Sequence, residues 1–258
     1  MTEQDNNNIR ANSKKYRLVV YTALFGDYDD LIDPPEKFEG CDFVCFTDQK
    51  HLKSDIWEIR LVEECDLPPN MMNRRFKILP HLFLPEYEQS LYVDANICIL
   101  KNPKELSDKF LKKTKFVAPK HFARDCAYDE AKECIVLMKD RKEIIKKQMQ
   151  RYKNEGFPSH FGLSENNILL RAHIDNSVID LMQSWWKELQ SGAKRDQLSL
   201  PFVMWKKNFE YAFMDESARQ GSGYYGYRDH SEFVNRPFFN RAKDKFKFSA
   251  RRFFVNLL

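Results

Sequence analysis

Asp94 and Asn96 interrupt an otherwise apolar, β-rich run at residues 90–100 (SLYVDANICIL). A carboxylate inside a buried strand costs several kcal/mol unless it is paired or metal-bound. Asp94 is therefore expected where the strand ends at a cleft, or beside a cation. Residues two apart on an extended chain project to one side, so Asp94 and Asn96 would aim two hard oxygen donors at one point. Such a pair suits Mg²⁺ or Mn²⁺, which keep several waters and take further ligands from substrate phosphates. The competing reading is a plain turn, where Asp and Asn are common. Arg74, Arg75 and Lys77 place three cations within one helical turn, a set that either meets a phosphate or forms a solvated face.

Other chemistries lack their signatures. There is no GxGxxG or GxxxxGK loop, which argues against dinucleotide oxidoreductases and P-loop enzymes, and no GxSxG. The six cysteines show no CxxC or Cys/His spacing, so neither disulfides nor a zinc site is expected. A net charge of +4, dispersed among 42 basic and 38 acidic residues, gives no reason to expect a nucleic-acid partner. The polar first residues and the lack of an 18-residue apolar run lead us to expect a cytoplasmic protein in a reducing environment.

Strands alternating with helices must position these groups. Strands are expected at 17–25, 43–47, 57–62, 90–100, 115–118, 167–172 and 211–214. Helices are expected at 71–79 (stopped by Pro80), 103–111, 129–154 (closed by Gly156), 177–192 and 196–205. In the helix at 177–192, Trp185 falls on the apolar stripe and is read as core. The alternation implies an α/β fold with a largely parallel sheet, whose ligands bind beyond the strand carboxyl ends. That rule collects residues 22–27, Asp48, Asp94 and Asn96. Residues 1–15 read as a disordered tail, 16–237 as the folded domain, and 222–236, rich in Gly and Tyr, as a loop folding over a ligand. The basic, aromatic segment 238–258 suits either an anionic membrane surface or an ordinary packed helix.

Seven blocks, in order, carry a resemblance over residues 21–236: YTALFGDYDDL, FVCFTD, NRRFKILPH, SLYVDANI, HFARDCAYDEA, GLSENNILLRAH and RDQLSLPFVMW. The chain resembles nucleotide-sugar glycosyltransferases of the GT-A fold. More closely, it is similar to a family of bacterial and plant glycosyltransferase-like proteins associated in plants with cell-wall polysaccharide and mucilage. The resemblance implies a Rossmann-like, mostly parallel sheet flanked by helices. It also implies roles. Thr22, Ala23 and Phe25 would edge the nucleoside, Asp48 would meet base or ribose, and Arg74 and Lys77 would lie near the nucleotide. Asp94 and Asn96 stand where the metal-holding Asp-x-Asp belongs, with His230 as a further ligand. His121, Arg124, Asp125, Asn166 and Gln197 would face donor sugar and acceptor. The second acid is Asn96 here, which removes a charge and should weaken a Mn²⁺ or Mg²⁺ site.

The function expected is transfer of a sugar from a nucleotide-sugar donor, UDP-linked, to a glycan or glycolipid acceptor in surface polysaccharide synthesis, on the inner face of the membrane. Departing diphosphate gains charge that a dication, Arg or Lys can stabilise. Inversion would need Asp196 or Glu165 as general base, whereas retention would use them to stabilise the sugar cation. Likeness to glycogenin-like enzymes leans toward retention, and the sequence itself does not choose. Asn96 also motivates a different reading, a nucleotide- or glycan-binding module without catalysis. A haloacid-dehalogenase-type phosphatase would need a second acid that Asn96 replaces.

Overall fold

Leu18–Leu24 (LVVYTAL) presents bulky residues to both faces, and as strand β1 it is buried along its whole length. A strand covered on both sides needs sheet neighbours beside it and further layers above and below. The computed structural model, which describes residues 17–26, 29–64 and 66–228, supplies both. The remaining strands are β2 (Cys41–Thr47), β3 (Glu58–Leu61), β4 (Gln89–Val93), β5 (Ile97–Ile99), β6 (Phe116–Pro119), β7 (Ile168–Arg171), β8 (Ala212–Met214) and β9 (Tyr225–Tyr227). Seven of them form one sheet in the order β3-β2-β1-β4-β7-β6-β8, while β5 and β9 pair separately. Every pairing in the large sheet is parallel except the two made by β7. This is the mixed, mostly parallel sheet expected of a GT-A fold.

The helices are α1 (Pro69–Ile78), the single turn α2 (Pro80–Phe83), α3 (Lys104–Phe110), α4 (Ala127–Val136), α5 (Lys142–Asn154), α6 (Asn176–Ser191) and α7 (Asp196–Lys206). Alternation along β1 divides the core in two. Val19, Tyr21 and Ala23 pack with Phe76 of α1, Trp185 of α6 and Phe202 of α7. Leu18, Val20 and Leu24 pack on the other face with Leu106 of α3 and with β5. No helix among the described residues is long and apolar enough to cross a membrane. The segment 238–258 and the membrane contact expected of it lie outside the described residues, as does His230.

Three local expectations change. Residues 90–100 are not one strand. β4 stops at Val93, Asp94 N–H donates to the Asn167 carbonyl (2.9 Å), and Ile97 N–H closes a turn onto the Asp94 carbonyl (2.9 Å). β5 then leaves for the smaller sheet, so Asp94 and Asn96 no longer share one side of an extended backbone. The helix expected at 129–154 is two helices, α4 and α5. Asp140 draws the backbone away from helical bonding by accepting the N–H groups of Arg141 and Lys194, both at 2.6 Å, and Met138 in the break has φ +50°. Part of the loop expected at 222–236 is strand β9, antiparallel to β5.

Trp185 is fully buried and also carries a polar function. Its indole N–H donates to the Asp196 carbonyl (3.2 Å) and the Ser199 hydroxyl (3.0 Å), tying α6 to the start of α7. Trp185→Ala is expected to cost about 3–5 kcal/mol, the range for a buried aromatic. Trp185→Phe keeps an aromatic ring but loses the donor and part of the indole volume, and should cost less, about 2–3 kcal/mol. Urea denaturation separates the two, and equal losses would contradict this packing.

Candidate active site

The carboxyl ends of β1 and β4 and the amino end of β7 meet at one edge of the sheet, since Tyr21 lies beside Tyr92 and Val93 beside Ile168. β6 ends there too, with the Pro119 carbonyl accepting the Glu165 N–H (2.8 Å) just before β7. A cavity of about 440 Å³ lies at this edge. β1 contributes Ala23 and Leu24, α1 contributes Asn73, Arg74 and Lys77, and the end of β4 contributes Tyr92 and Asp94. The loop after β6 adds His121, Phe122 and Arg124. Glu165, Asn166 and Asn167 come from the approach to β7, and Arg195, Asp196 and Gln197 from the start of α7.

Lys77 is buried, and its ammonium is 2.6 Å from Asp196 Oδ2 and 3.6 Å from Asp94 Oδ1. The Tyr92 hydroxyl donates to Asp94 Oδ1 (2.8 Å), and the ammonium sits 5.1 Å from the centre of the same tyrosine ring. Burial pushes the Asp196 carboxyl up, but Lys77, Arg74 and Arg195 outweigh it and hold the group well below the usual carboxylate range. Asp196 is therefore a fixed anion. Glu165 is the opposite case: burial lifts its carboxyl above the ordinary range, against the pull of the Ser217 hydroxyl donating to Oε2 (2.9 Å) and of Arg219. His121 organises its own loop. Its Nδ1 accepts the N–H groups of Ala123 (3.2 Å) and Arg124 (3.1 Å), and burial lowers its pKa. Arg124 Nε in turn donates to the buried Glu130 (2.6 Å).

Ala23, Arg74, Lys77, Asp94, His121, Arg124, Glu165, Asn166, Asp196 and Gln197 are thus brought together. The other described residues singled out in the sequence lie elsewhere. Thr22 is buried within β1, and Phe25 stacks on Phe76 with ring centres 5.2 Å apart. Asp48 accepts the Gly26 N–H at 3.0 and 3.2 Å, and so shapes the turn after β1, where Gly26 has φ +70°. Asp125 is exposed, paired with His160 at 2.7 Å. Asn96 is buried, and its amide Nδ2 donates to the Arg228 carbonyl (3.0 Å).

The model of the TOD1/MUCI70 glycosyltransferase-like domain matches residues 1–220. The chain belongs to this family. It is also 25% identical, over 214 residues and 72% of its own length, to a protein of Arabidopsis thaliana described as probable hexosyltransferase MUCI70. The match spans 37% of that relative's length.

In this TOD1/MUCI70 domain, several lining residues were invisible to motif reasoning. Tyr92 reads as an apolar strand residue, though its spacing of two from Asp94 was a usable signal. Asn73 lies one helical turn before Lys77 and accepts the Phe25 N–H (3.1 Å). Arg195, Lys139 and Arg219 had no pattern to mark them.

Among the described residues the expected dication meets a sparse donor set, and His230, the third ligand expected, lies outside them. Of the pair, only Asp94 faces the cavity, while Asn96 has turned into the backbone of residue 228. The one grouping of His, Cys and carboxylates among the described residues close enough to share an ion is Cys126, Asp129 and His160, none of which lines the cavity. Asp94 already has an ammonium beside it. A dication roughly 4 Å from an ammonium is repelled by about 8 kcal/mol at an effective dielectric of about 20.

Asp196→Asn leaves Lys77 with Asp94 alone and is expected to cost about 3–5 kcal/mol. Because the folded-state carboxyl is depressed, its contribution is complete above the ordinary Asp pKa of about 4 and is lost as pH falls toward the lower folded value. Urea titrations at neutral pH and at about pH 3 should show the gap between wild type and variant narrowing in acid. An equal gap at both would place the stabilisation elsewhere.

Proposed function

We propose that the protein is a glycosyltransferase that moves a hexose from a nucleoside-diphosphate sugar, UDP-linked, to a hydroxyl of a glycan or glycolipid destined for surface polysaccharide. The observation carrying this reading is the convergence of Arg74, Lys77, Asp94, Glu165 and Asp196 on one cavity at the strand carboxyl ends, in a chain of a glycosyltransferase-like family. Similarity to the Arabidopsis probable hexosyltransferase supports a hexose as the group transferred.

The assignments follow from charge. Breaking the glycosidic bond to a diphosphate builds negative charge on the leaving group and positive charge on the sugar. Arg74 and Lys77 are placed to receive the first. Asp196, held ionised, suits the second, and its involvement with Lys77 makes it a poor proton acceptor. Glu165, with a carboxyl raised toward neutrality by burial, is the better general base for the acceptor hydroxyl if the anomeric centre inverts. Under retention, Glu165 would instead help to stabilise the sugar cation.

Release of nucleoside diphosphate from a panel of UDP-, GDP- and CMP-sugars tests the reading. With inversion, Glu165→Gln should lower kcat by about 10²–10⁴-fold, with little change in donor KM. The wild-type profile of kcat/KM should rise with pH through a midpoint above the ordinary Glu value of about 4.3, and the variant should lose that limb. Donor binding without turnover would favour a non-catalytic module. Full activity in Glu165→Gln would remove it as the base.

A further inference from the structure

The cation enclosed at the strand ends belongs to the chain itself. Lys77 occupies the space between two carboxylates from separate elements, Asp94 at the end of β4 and Asp196 at the start of α7, at 3.6 and 2.6 Å. Its backbone is fixed as firmly as its side chain. The Lys77 carbonyl accepts from the Tyr21 hydroxyl (2.9 Å) and from Arg171 (2.9 Å), both fully buried. An ammonium held at both ends cannot swing away to admit another ion without breaking the pair that permits its burial.

The surrounding charge points the same way. Asp94 and Asp196 together outweigh Lys77, so these three groups alone would repel a phosphate. Arg74 and Arg195 line the same cavity, and among the described residues neither lies within ion-pair distance of a carboxylate. Counting both, three cations face Asp94 and Asp196, and the rest of the lining, Arg124, Lys139 and Arg219 against Asp29, Glu130 and Glu165, adds equal numbers of each sign. Asn96 fits the pattern: where a second acid would add a charge to recruit a dication, a neutral amide stands, and its Nδ2 donates to the Arg228 carbonyl.

From this geometry we infer that the Lys77 ammonium stands in the place of a divalent metal, and that with Arg74 and Arg195 it binds the diphosphate of the donor without one. The identity of the ligand rests on the transferase reading; the replacement of the metal by Lys77 does not. Lys77 would act as a metal does at this step, offering fixed positive charge to oxygens that become more negative as the sugar departs, while Asp94 and Asp196 hold it in place.

Two measurements on the full chain test this. First, Mn²⁺ alone is titrated and the free ion followed by electron paramagnetic resonance. Wild type should bind it only in the millimolar range at this site. Lys77→Ala leaves Asp94 and Asp196 facing each other unneutralised and should bind Mn²⁺ at least about tenfold more tightly, a gain that Asp94→Asn in the same background removes. Stoichiometric, micromolar binding of Mn²⁺ to wild type, lost in Asp94→Ala, would overturn the inference. Second, which needs no variant, UDP is titrated calorimetrically into wild type in EDTA and then with Mn²⁺. Affinities within about threefold of each other are expected, and a gain of about tenfold or more with Mn²⁺ would overturn the inference. If UDP binds in neither condition, the choice of donor fails, and the Mn²⁺ titration of wild type still decides the role of Lys77.

Discussion

A buried ammonium must be paired, and much of this site follows from that requirement. Lys77 sits at the end of α1, out of water, and Asp196 answers it directly. Removing either partner would strand a charge in a poorly hydrated setting. The pair therefore fixes where α7 begins relative to α1, and Trp185, donating to the Asp196 carbonyl, fixes it relative to α6. A second buried cation, Arg171, has no carboxylate within ion-pair distance among the described residues. It is accommodated by the Tyr21 hydroxyl, the Lys77 carbonyl and the Met182 sulfur, and burial lowers its pKa accordingly. Two polar commitments inside the core thus serve one position.

The sheet delivers these groups through one reversal. Parallel strands β1, β4 and β6 bring their carboxyl ends to one edge, and antiparallel β7 brings its amino end to the same edge. Glu165 and Asn166 therefore approach Asp94 from the opposite chain direction. That arrangement puts two carboxylates of different character in one cavity: Asp196, ionised and paired, and Glu165, buried and raised. Environments that push acidic groups apart in pKa are the usual way to give them different tasks.

The strand-and-helix order was legible because the apolar runs are long and their ends are punctuated by Gly, Pro and Asp. Asp94 was legible as a strand-end carboxylate because an unpaired charge inside SLYVDANICIL would be too costly. The turn that separates Asp94 from Asn96 was legible as the competing reading, closed locally by the Ile97 N–H, whereas the Asn167 carbonyl that anchors Asp94 is a tertiary neighbour no local pattern marks. The break between α4 and α5 was not legible, since it depends on Asp140 finding the Lys194 N–H. The Lys77–Asp196 pair escaped for the same reason: a lysine in an amphipathic helix and an aspartate opening another both have ordinary solvent-facing explanations. Asp48 shows the converse, a strand-end acid whose bonds to the Gly26 N–H serve the turn after β1.

On the proposed reading, the cavity at the strand carboxyl ends holds a donor diphosphate against cations supplied by the chain. The most direct measurement is a crystal structure of the full chain with UDP, grown in EDTA. Phosphate oxygens are expected within hydrogen-bond distance of Lys77 Nζ and the Arg74 guanidinium, with the nucleoside along Ala23. A diphosphate bound away from both cations, or bound only when a divalent ion bridges it to Asp94, would rule out recognition by Lys77 and Arg74.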